Sequence, residues 1–500
     1  MNKKLTAILL ALAMLASSAV MLASCGDDSG TPADTADTAD TAADTTTADT
    51  TPAETAAPTP YDYIAKKWDG KTFTFGTPSS GTRYIPGQFI TEEATGDIIM
   101  DGAYERNLIV EETFDIKIAH EMPADSAGFV KAARNVIMSG DAAYDLVSGF
   151  LRETSPAAIQ DPLFIQASEL SWQNLDNPWY PAYLNQALNI DGDQSIFYSD
   201  MTCISLSCTY GMFYNTTMGQ RYGIPDLGEI ALEGSWTWDK FLGYASDITT
   251  DVNGDGVYDG NDIYGNGFYY TLNHANSDTP LTLQYGMESF TTRMENGRPV
   301  LNLNTERQVS IVERLYDLFY QENRSCLLTN GADQCTMFAN GQILFLTAII
   351  MHAPNYMRDM EDTYIALPMP KYDETQQSYY TIISPASSMV FGIPSSVSDK
   401  EFASVIFDAL SYEGNQKVIP AFFEASMKKK YSRDQLTAQV FDLLRESTYI
   451  DFGIVYDGNV GMSTLISSMM SKKSTDFASS YAALEPKALT QYETVLEAFD

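Results

Sequence analysis

The chain has 500 residues, 44% of them hydrophobic and 12% aromatic, which is enough to bury large cores in more than one lobe. Its 30 basic residues against 66 acidic ones give a formal net charge of -36. Such a balance lacks the basic face that phosphate binding requires, so nucleic acid is not an expected partner.

Met1 to Ser24 reads as a targeting segment, with Lys3 and Lys4 ahead of an apolar run from Leu5 to Leu15 and then small residues. Leu22-Ala23-Ser24-Cys25-Gly26 resembles a bacterial lipobox, in which the Cys thiol receives a diacylglycerol before cleavage leaves Cys25 as the first mature residue. On this reading residues 1–24 are a lipoprotein signal peptide. The chain is then anchored at the cell surface, on the outer face of the cytoplasmic membrane, without spanning it. Beyond this segment the longest mostly apolar run, Ile343 to Met351, is far shorter than the roughly 20 residues of a spanning helix. Residues 25–60 join the lipidated Cys to near-repeats such as TADTADTAD, with too little apolar bulk for a core; they read as an extended acidic tether. From Tyr61 onward 28 basic residues stand against 58 acidic ones, a net of -30 that suits a neutral or cationic small ligand.

Residues 61–500 read as the globular part. Thr72 to Thr77 alternates like a strand, Asp101 to Thr113 follows as a helix, Asp115 to His120 as a strand, Asp125 to Met138 as a helix and Tyr144 to Ser148 as a strand. Strands separated by helices imply right-handed crossovers and a largely parallel, doubly wound α/β sheet. Ligands of such sheets sit beyond the carboxyl ends of the strands. That rule points to Ser79, Ser80 and Arg83 after the first strand, and to Gly149, Phe150 and Arg152 after the third.

The loop SWQNLDNPWYPAY carries Trp172 and Trp179. Aromatic faces suit sugars because pyranose C–H surfaces are apolar while the hydroxyls need carboxylate or amide partners, here Asp176, Asn177 or Asp200. Trp179 could equally cover a core. Cys203, Cys208, Cys326 and Cys335 match neither zinc-ligand spacing nor CxxC; two local disulfides and, for apolar-flanked Cys203 and Cys208, simple buried thiols both remain open.

The stretch Gly234 to Gly267 joins a helix start to a metal loop. Ser235 or Thr237 can cap a helix that has Asp239 in its first turn, with Phe241, Leu242, Ala245 and Ile248 recurring at helical spacing. Next, Asp251, Asn253, Asp255, Asp259 and Asp262 place side-chain oxygens at loop positions one, three, five, nine and twelve. Gly256 stands at six and the Val257 carbonyl at seven, the pattern of a Ca2+ loop. Asp262 replaces the usual bidentate Glu and no regular amphipathic helix follows; a solvated Asp/Asn/Gly turn has the same composition. The expectation is a structural, non-catalytic Ca2+.

Catalysis has no comparable signal. The sequence contains no GxSxG elbow, no HExxH and no P-loop, and its three His residues are too dispersed for a zinc set. Among 66 acidic residues a glycosidase-like pair of carboxylates is uninformative. The chain is read as a non-enzyme.

AYERNLIVEETFDIKI, AYDLVSGF, TYGMFYNTTMGQRYGIPD, SWTWDKFLGYASDIT, MFANGQILFLTAIIMHAPNYMRDM and YIALPMPKYDETQQSYY occur in the order expected of family 1 extracellular solute-binding proteins. These are the lipoproteins that deliver sugars and related solutes to ABC importers, and the resemblance covers nearly everything after Tyr61. It implies an α/β, two-lobed periplasmic-binding-protein-like fold of type II, each lobe a doubly wound sheet, joined by crossing hinge strands. Cys203 to Asn215, Ile343 to Ile350 and Ile382 to Ile393 resemble the crossings. Lobe one would hold about 61–206 and 351–385, and lobe two about 207–350 and 386–500. The resemblance further implies a monomer that encloses a carbohydrate, an oligosaccharide, between its lobes and passes it to ABC permease subunits. A peptide or other-solute receptor is the alternative, followed by a secreted glycan-active enzyme. Arg83, Phe150, Trp179, Tyr210, Tyr285 and His352 are the expected ligand contacts, whereas Trp236 and Trp238, at a helix start, are expected in the core.

Overall fold

The computed structural model of this chain describes residues 66–80, 86–269, 278–296, 298–321, 325–327, 331–431, 435–457 and 460–498. Two sheets organise them. The first has the strand order Met389–Gly392, Leu146–Phe150, Lys71–Gly76, Ile116–Glu121. Lys71–Gly76 runs parallel to both of its neighbours, and Met389–Gly392 closes one edge antiparallel to Leu146–Phe150. The expected strand, helix, strand, helix, strand succession is therefore present, and its causes are local. Phe73 and Phe75 alternate inward while Thr72 and Thr74 are more open. Asp97 caps the helix Ile98–Phe114 by accepting from the N–H groups of Ile99 and Met100, and Asp115 leaves that helix in the left-handed region at φ 51, turning the chain straight into the next strand. Asp125 caps Ser126–Met138 in the same manner.

The second sheet has the order Tyr364–Leu367, Tyr210–Asn215, Ile343–Ile349, Tyr264–Phe268, Ser325–Cys326. All seven residues of the central strand Ile343–Ile349 are buried, as a continuous apolar run covered on both faces should be. Behind this sheet lie Trp236 and Trp238, 0% and 1% exposed, with Trp236 packed against Phe241 and Phe345 and its indole N–H donating to the Pro368 carbonyl. Both are core residues, as expected. Cys203, Cys208, Cys326 and Cys335 are all buried thiols, and burial pushes the Cys203 and Cys335 thiols up.

Three segments meet between the sheets. Thr209 bridges Ile383, and Thr381–Ile382 pairs in parallel with Thr448–Tyr449. Hydrogen bonds from Ser384 N to the Cys208 carbonyl and from Thr381 Oγ1 to the Tyr210 carbonyl lock them together, at 2.9 and 2.7 Å.

The division of the chain between the sheets differs from the expected boundaries. Ile343–Ile350 does not return the chain to the first lobe. After it, Tyr364–Leu367 adds to the second sheet by exchanging hydrogen bonds with Met212–Asn215. The chain recrosses only between Ile383 and Met389, so residues 386–393 belong with the first sheet rather than the second lobe. The helix Lys400–Tyr431 also packs on the first lobe: Gly102 lies so close to the Lys417 carbonyl that an added Cβ would come within 3.0 Å, and Lys71 pairs with Asp399 at 2.9 Å. The physical reason is strand pairing: a four-residue strand such as Tyr364–Leu367 carries no sequence mark of which sheet edge it will join.

Candidate ligand-binding groove

The residues that converge on solvent between the two sheets come from segments the strand-end rule does not reach. One wall belongs to the first lobe. Residues 175–194 are fastened there by the Trp179 indole N–H and the Tyr180 hydroxyl, which donate to Asp408 Oδ1 at 2.9 and 2.8 Å. Burial pushes the Asp408 carboxyl up to about 6, against the pull of those two hydrogen bonds. The short helix Ala182–Gln186 then presents Tyr183, 53% exposed.

The facing wall is the edge Thr292–Met294 of the hairpin formed by Thr292–Glu295 and Arg298–Leu301, together with Gly234 and Gln377–Tyr380. The loop carrying Tyr379 and Tyr380 is held from behind. Gln376 donates to the Gly286 and Ser378 carbonyls, both at 2.8 Å, and accepts from Arg307 at 3.0 Å. The ring of Tyr372 lies between the Arg307 and Arg314 guanidiniums at 4.6 and 4.2 Å. Thr448–Phe452 forms the floor.

Three adjoining cavities make up the groove, of about 300, 30 and 610 Å3. The first and second share Tyr183 and Tyr449; the second and third share Gln186 and Met294. Phe290 backs the first, 4.6 Å from the Tyr449 ring and 4.9 Å from Tyr380, whose ring lies 5.6 Å from Tyr449. Burial raises the Tyr380 and Tyr449 phenols, so both stay neutral and keep their O–H donors. Glu446 and Gln377 line one end, while Asp176, Asn189 and Asp191 line the other. Aromatic faces flanked by carboxylates and amides can pack against apolar C–H surface while accepting from and donating to many hydroxyls.

The expected contact residues lie elsewhere. Phe150, Trp179, Tyr210, Tyr285 and His352 are all buried and none lines this groove. Phe150, Tyr210 and Tyr285 are held inside sheet ends or helix faces, and the Tyr285 hydroxyl is committed to Asp451 at 2.6 Å. The ring of His352 stacks on Tyr269 at 3.6 Å. Trp179 covers the core of the first lobe, edge-on to Tyr412 at 5.2 Å. Of its suggested polar companions, Asp200 is buried in an ion pair with Arg445, at 2.6 Å, while Asp176 does line the groove. Arg83 and Cys25 lie outside the described residues. Tyr183, Tyr380 and Tyr449, which line the groove, have no prominence among 30 tyrosines in the sequence.

The loop Asp251–Asp262 is folded around its own amides. Asp251 accepts from Gly254 N and Gly256 N at 2.7 and 2.8 Å, Asp262 from Val252 N and Asp259 N at 2.9 and 2.8 Å, and Asp255 from Val257 N at 2.7 Å. Gly254 and Gly256 adopt φ of 71 and 80, which glycine alone takes without strain. The donor set is all oxygen, as Ca2+ prefers. Among the described residues no group of three or more His, Cys, Asp or Glu side chains is gathered as a metal site.

No protein-family model matches the sequence, and no curated protein does. Among solved structures the chain is similar to a cyclo/maltodextrin-binding protein complexed with maltotetraose, at 12% identity and a TM-score of 0.55, covering 86% of this chain and 97% of that one. It is also similar to an ABC transporter solute-binding protein from Thermotoga lettingae TMO bound with α-D-tagatose, at 14% identity and a TM-score of 0.51, covering 85% of this chain and all of the other. The chain has the two-lobed α/β fold of these solute-binding proteins. Among the described residues no helix is long and apolar enough to cross a membrane.

Proposed function

We propose that this chain captures a carbohydrate, an oligosaccharide, between its two lobes and passes it to the permease subunits of an ABC importer, acting as a monomeric binding protein and not as an enzyme. The observation that carries the reading is the groove itself. Tyr183 on one lobe faces Tyr380 and Tyr449 across a channel whose ends bear carboxylates and amides. Support comes from the two sugar-bound proteins of the same fold. A ligand touching both walls binds the closed arrangement better than the open one, and the segments around Thr209, Ile383 and Thr448 supply the crossing about which the lobes turn.

The remainder of the proposal concerns attachment and metal. Cys25 carries the lipid at the end of the acidic tether, and a diacylglyceryl group provides the two chains that stable anchoring needs. Asp251, Asn253, Asp255, the Val257 carbonyl, Asp259 and Asp262 hold a structural Ca2+ ahead of the strand Tyr264–Phe268, where Tyr264 Oη donates to the Asp259 carbonyl at 3.0 Å. Oxygen donors at the right spacing and the two positive-φ glycines support this reading.

Thermal-shift measurements on the full chain against maltotetraose, α-D-tagatose and a basic peptide test the function. A ligand at 100 times its Kd stabilises the folded state by about 2.7 kcal/mol. The expected result is a higher melting temperature with the oligosaccharide. A rise with the peptide and with no sugar tested would replace the carbohydrate assignment by the peptide one. Release of shortened sugars would instead make the chain an enzyme.

A further inference from the structure

Asp451 lies beneath the narrow waist of the groove, and nothing in the binding scheme above uses it. Its carboxylate is buried and surrounded by four neutral donors. One oxygen accepts from Tyr285 Oη at 2.6 Å and Thr292 N at 3.0 Å; the other accepts from Thr291 Oγ1 at 2.6 Å and Ile454 N at 3.0 Å. These donors come from the helix Thr279–Gly286, from the first strand of the hairpin and the residue before it, and from the helical turn Phe452–Val455. An ionised carboxylate only accepts, so both oxygens are satisfied here.

The neighbourhood shows how close this junction is. Gly453 N donates to Thr292 Oγ1 at 3.0 Å, and a Cβ on Gly453 would lie 2.3 Å from Thr291 Oγ1. At the far end of the same turn, the Val455 carbonyl accepts from Ser155 Oγ of the first lobe at 2.7 Å. The segment from Tyr449 to Val455 is thus fastened to the first lobe at one end and to the hairpin through Asp451. Tyr449 and Thr292 line the same waist.

We infer that Asp451 is a positioning residue of the groove: by tying Thr291 and Thr292 to the segment that carries Tyr449, it sets the width of the waist and hence the grip on a ligand passing through it. The inference rests on the groove being the ligand site. Its structural half stands without any ligand, because the hairpin carries an exposed tryptic site at Arg293.

The test uses the full chain with Asp451→Asn and Tyr285→Phe. The amide keeps the shape but turns one acceptor into a donor facing two other donors, and the Phe variant removes one hydroxyl donor while keeping the ring. Trypsin cleavage after Arg293 is expected to accelerate in both variants relative to other sites, with Kd for maltotetraose weakened by about tenfold in Asp451→Asn. Unchanged cleavage of the hairpin in both variants overturns the inference. So does a loosened hairpin with an unchanged Kd, which would give Asp451 a merely structural role. If Asp451→Asn does not fold, Tyr285→Phe decides by the same two readouts. A native chain that binds no maltotetraose counts against the carbohydrate reading alone, and hairpin cleavage then decides the role of Asp451.

Discussion

Replacing Tyr183 by Ala separates a ligand contact from a packing residue. The side chain is 53% exposed on a short surface helix, so its truncation should change stability by no more than about 0.5 kcal/mol. That exposure leaves roughly 100 Å2 of the tyrosine in water, and a sugar lying on one ring face would cover about half of it. At about 25 cal/mol per Å2 the lost burial is on the order of 1.3 kcal/mol, close to tenfold in Kd. Isothermal titration of the native and variant chains with maltotetraose measures the affinity, and thermal melts run in parallel measure the stability. Equal affinities, in a native chain that binds the sugar, would refute the placement of the ligand between Tyr183 and Tyr449. A melting temperature lowered by many degrees would show that Tyr183 supports the wall and not the ligand.

Trp179→Ala should behave in the opposite sense: it removes a buried indole and one of the two donors to Asp408, and is expected to cost about 3–5 kcal/mol in a denaturation experiment. Asp408 also sets a pH dependence. Because its folded pKa is raised to about 6, the folded chain holds this proton more tightly than the unfolded chain; the contribution is fully present below the unfolded value near 4 and is lost as pH rises through about 6. Asp408→Asn, which keeps the Oδ1 acceptor for both donors, should flatten the stability profile in that window by on the order of 2 kcal/mol, and denaturant titrations at pH 4.5 and 7 would show it. For the loop Asp251–Asp262, chelation or Asp255→Ala is expected to lower the melting temperature while leaving sugar affinity intact; identical melts with Ca2+ and with chelator would remove the ion. Cys25→Ser should release the chain from membranes or block its maturation, which fractionation reads directly.

The three parallel strands of the first sheet were legible from the sequence because their signals are local. Phe73 and Phe75 alternate, Asp97 and Asp125 cap, and a helix separates each pair of strands, so propensity, pattern and capping all agree. Only the family resemblance marks the run Ile343–Ile349 as a crossing and places Trp236 and Trp238 in the core; all are buried. Tertiary structure alone decided the rest. Which sheet accepts Tyr364–Leu367 or Met389–Gly392 depends on hydrogen bonds to strands more than a hundred residues away, and four residues carry no mark of their partner. The groove is assembled from residues near 183, 292, 380 and 449, each unremarkable where it stands in the chain. Trp179 shows the limit most directly. Its loop composition suited a sugar platform, but a buried carboxylate on the helix Lys400–Tyr431, more than two hundred residues later, captured the indole N–H and turned the ring into the core, leaving the exposed face to Tyr183 four residues on.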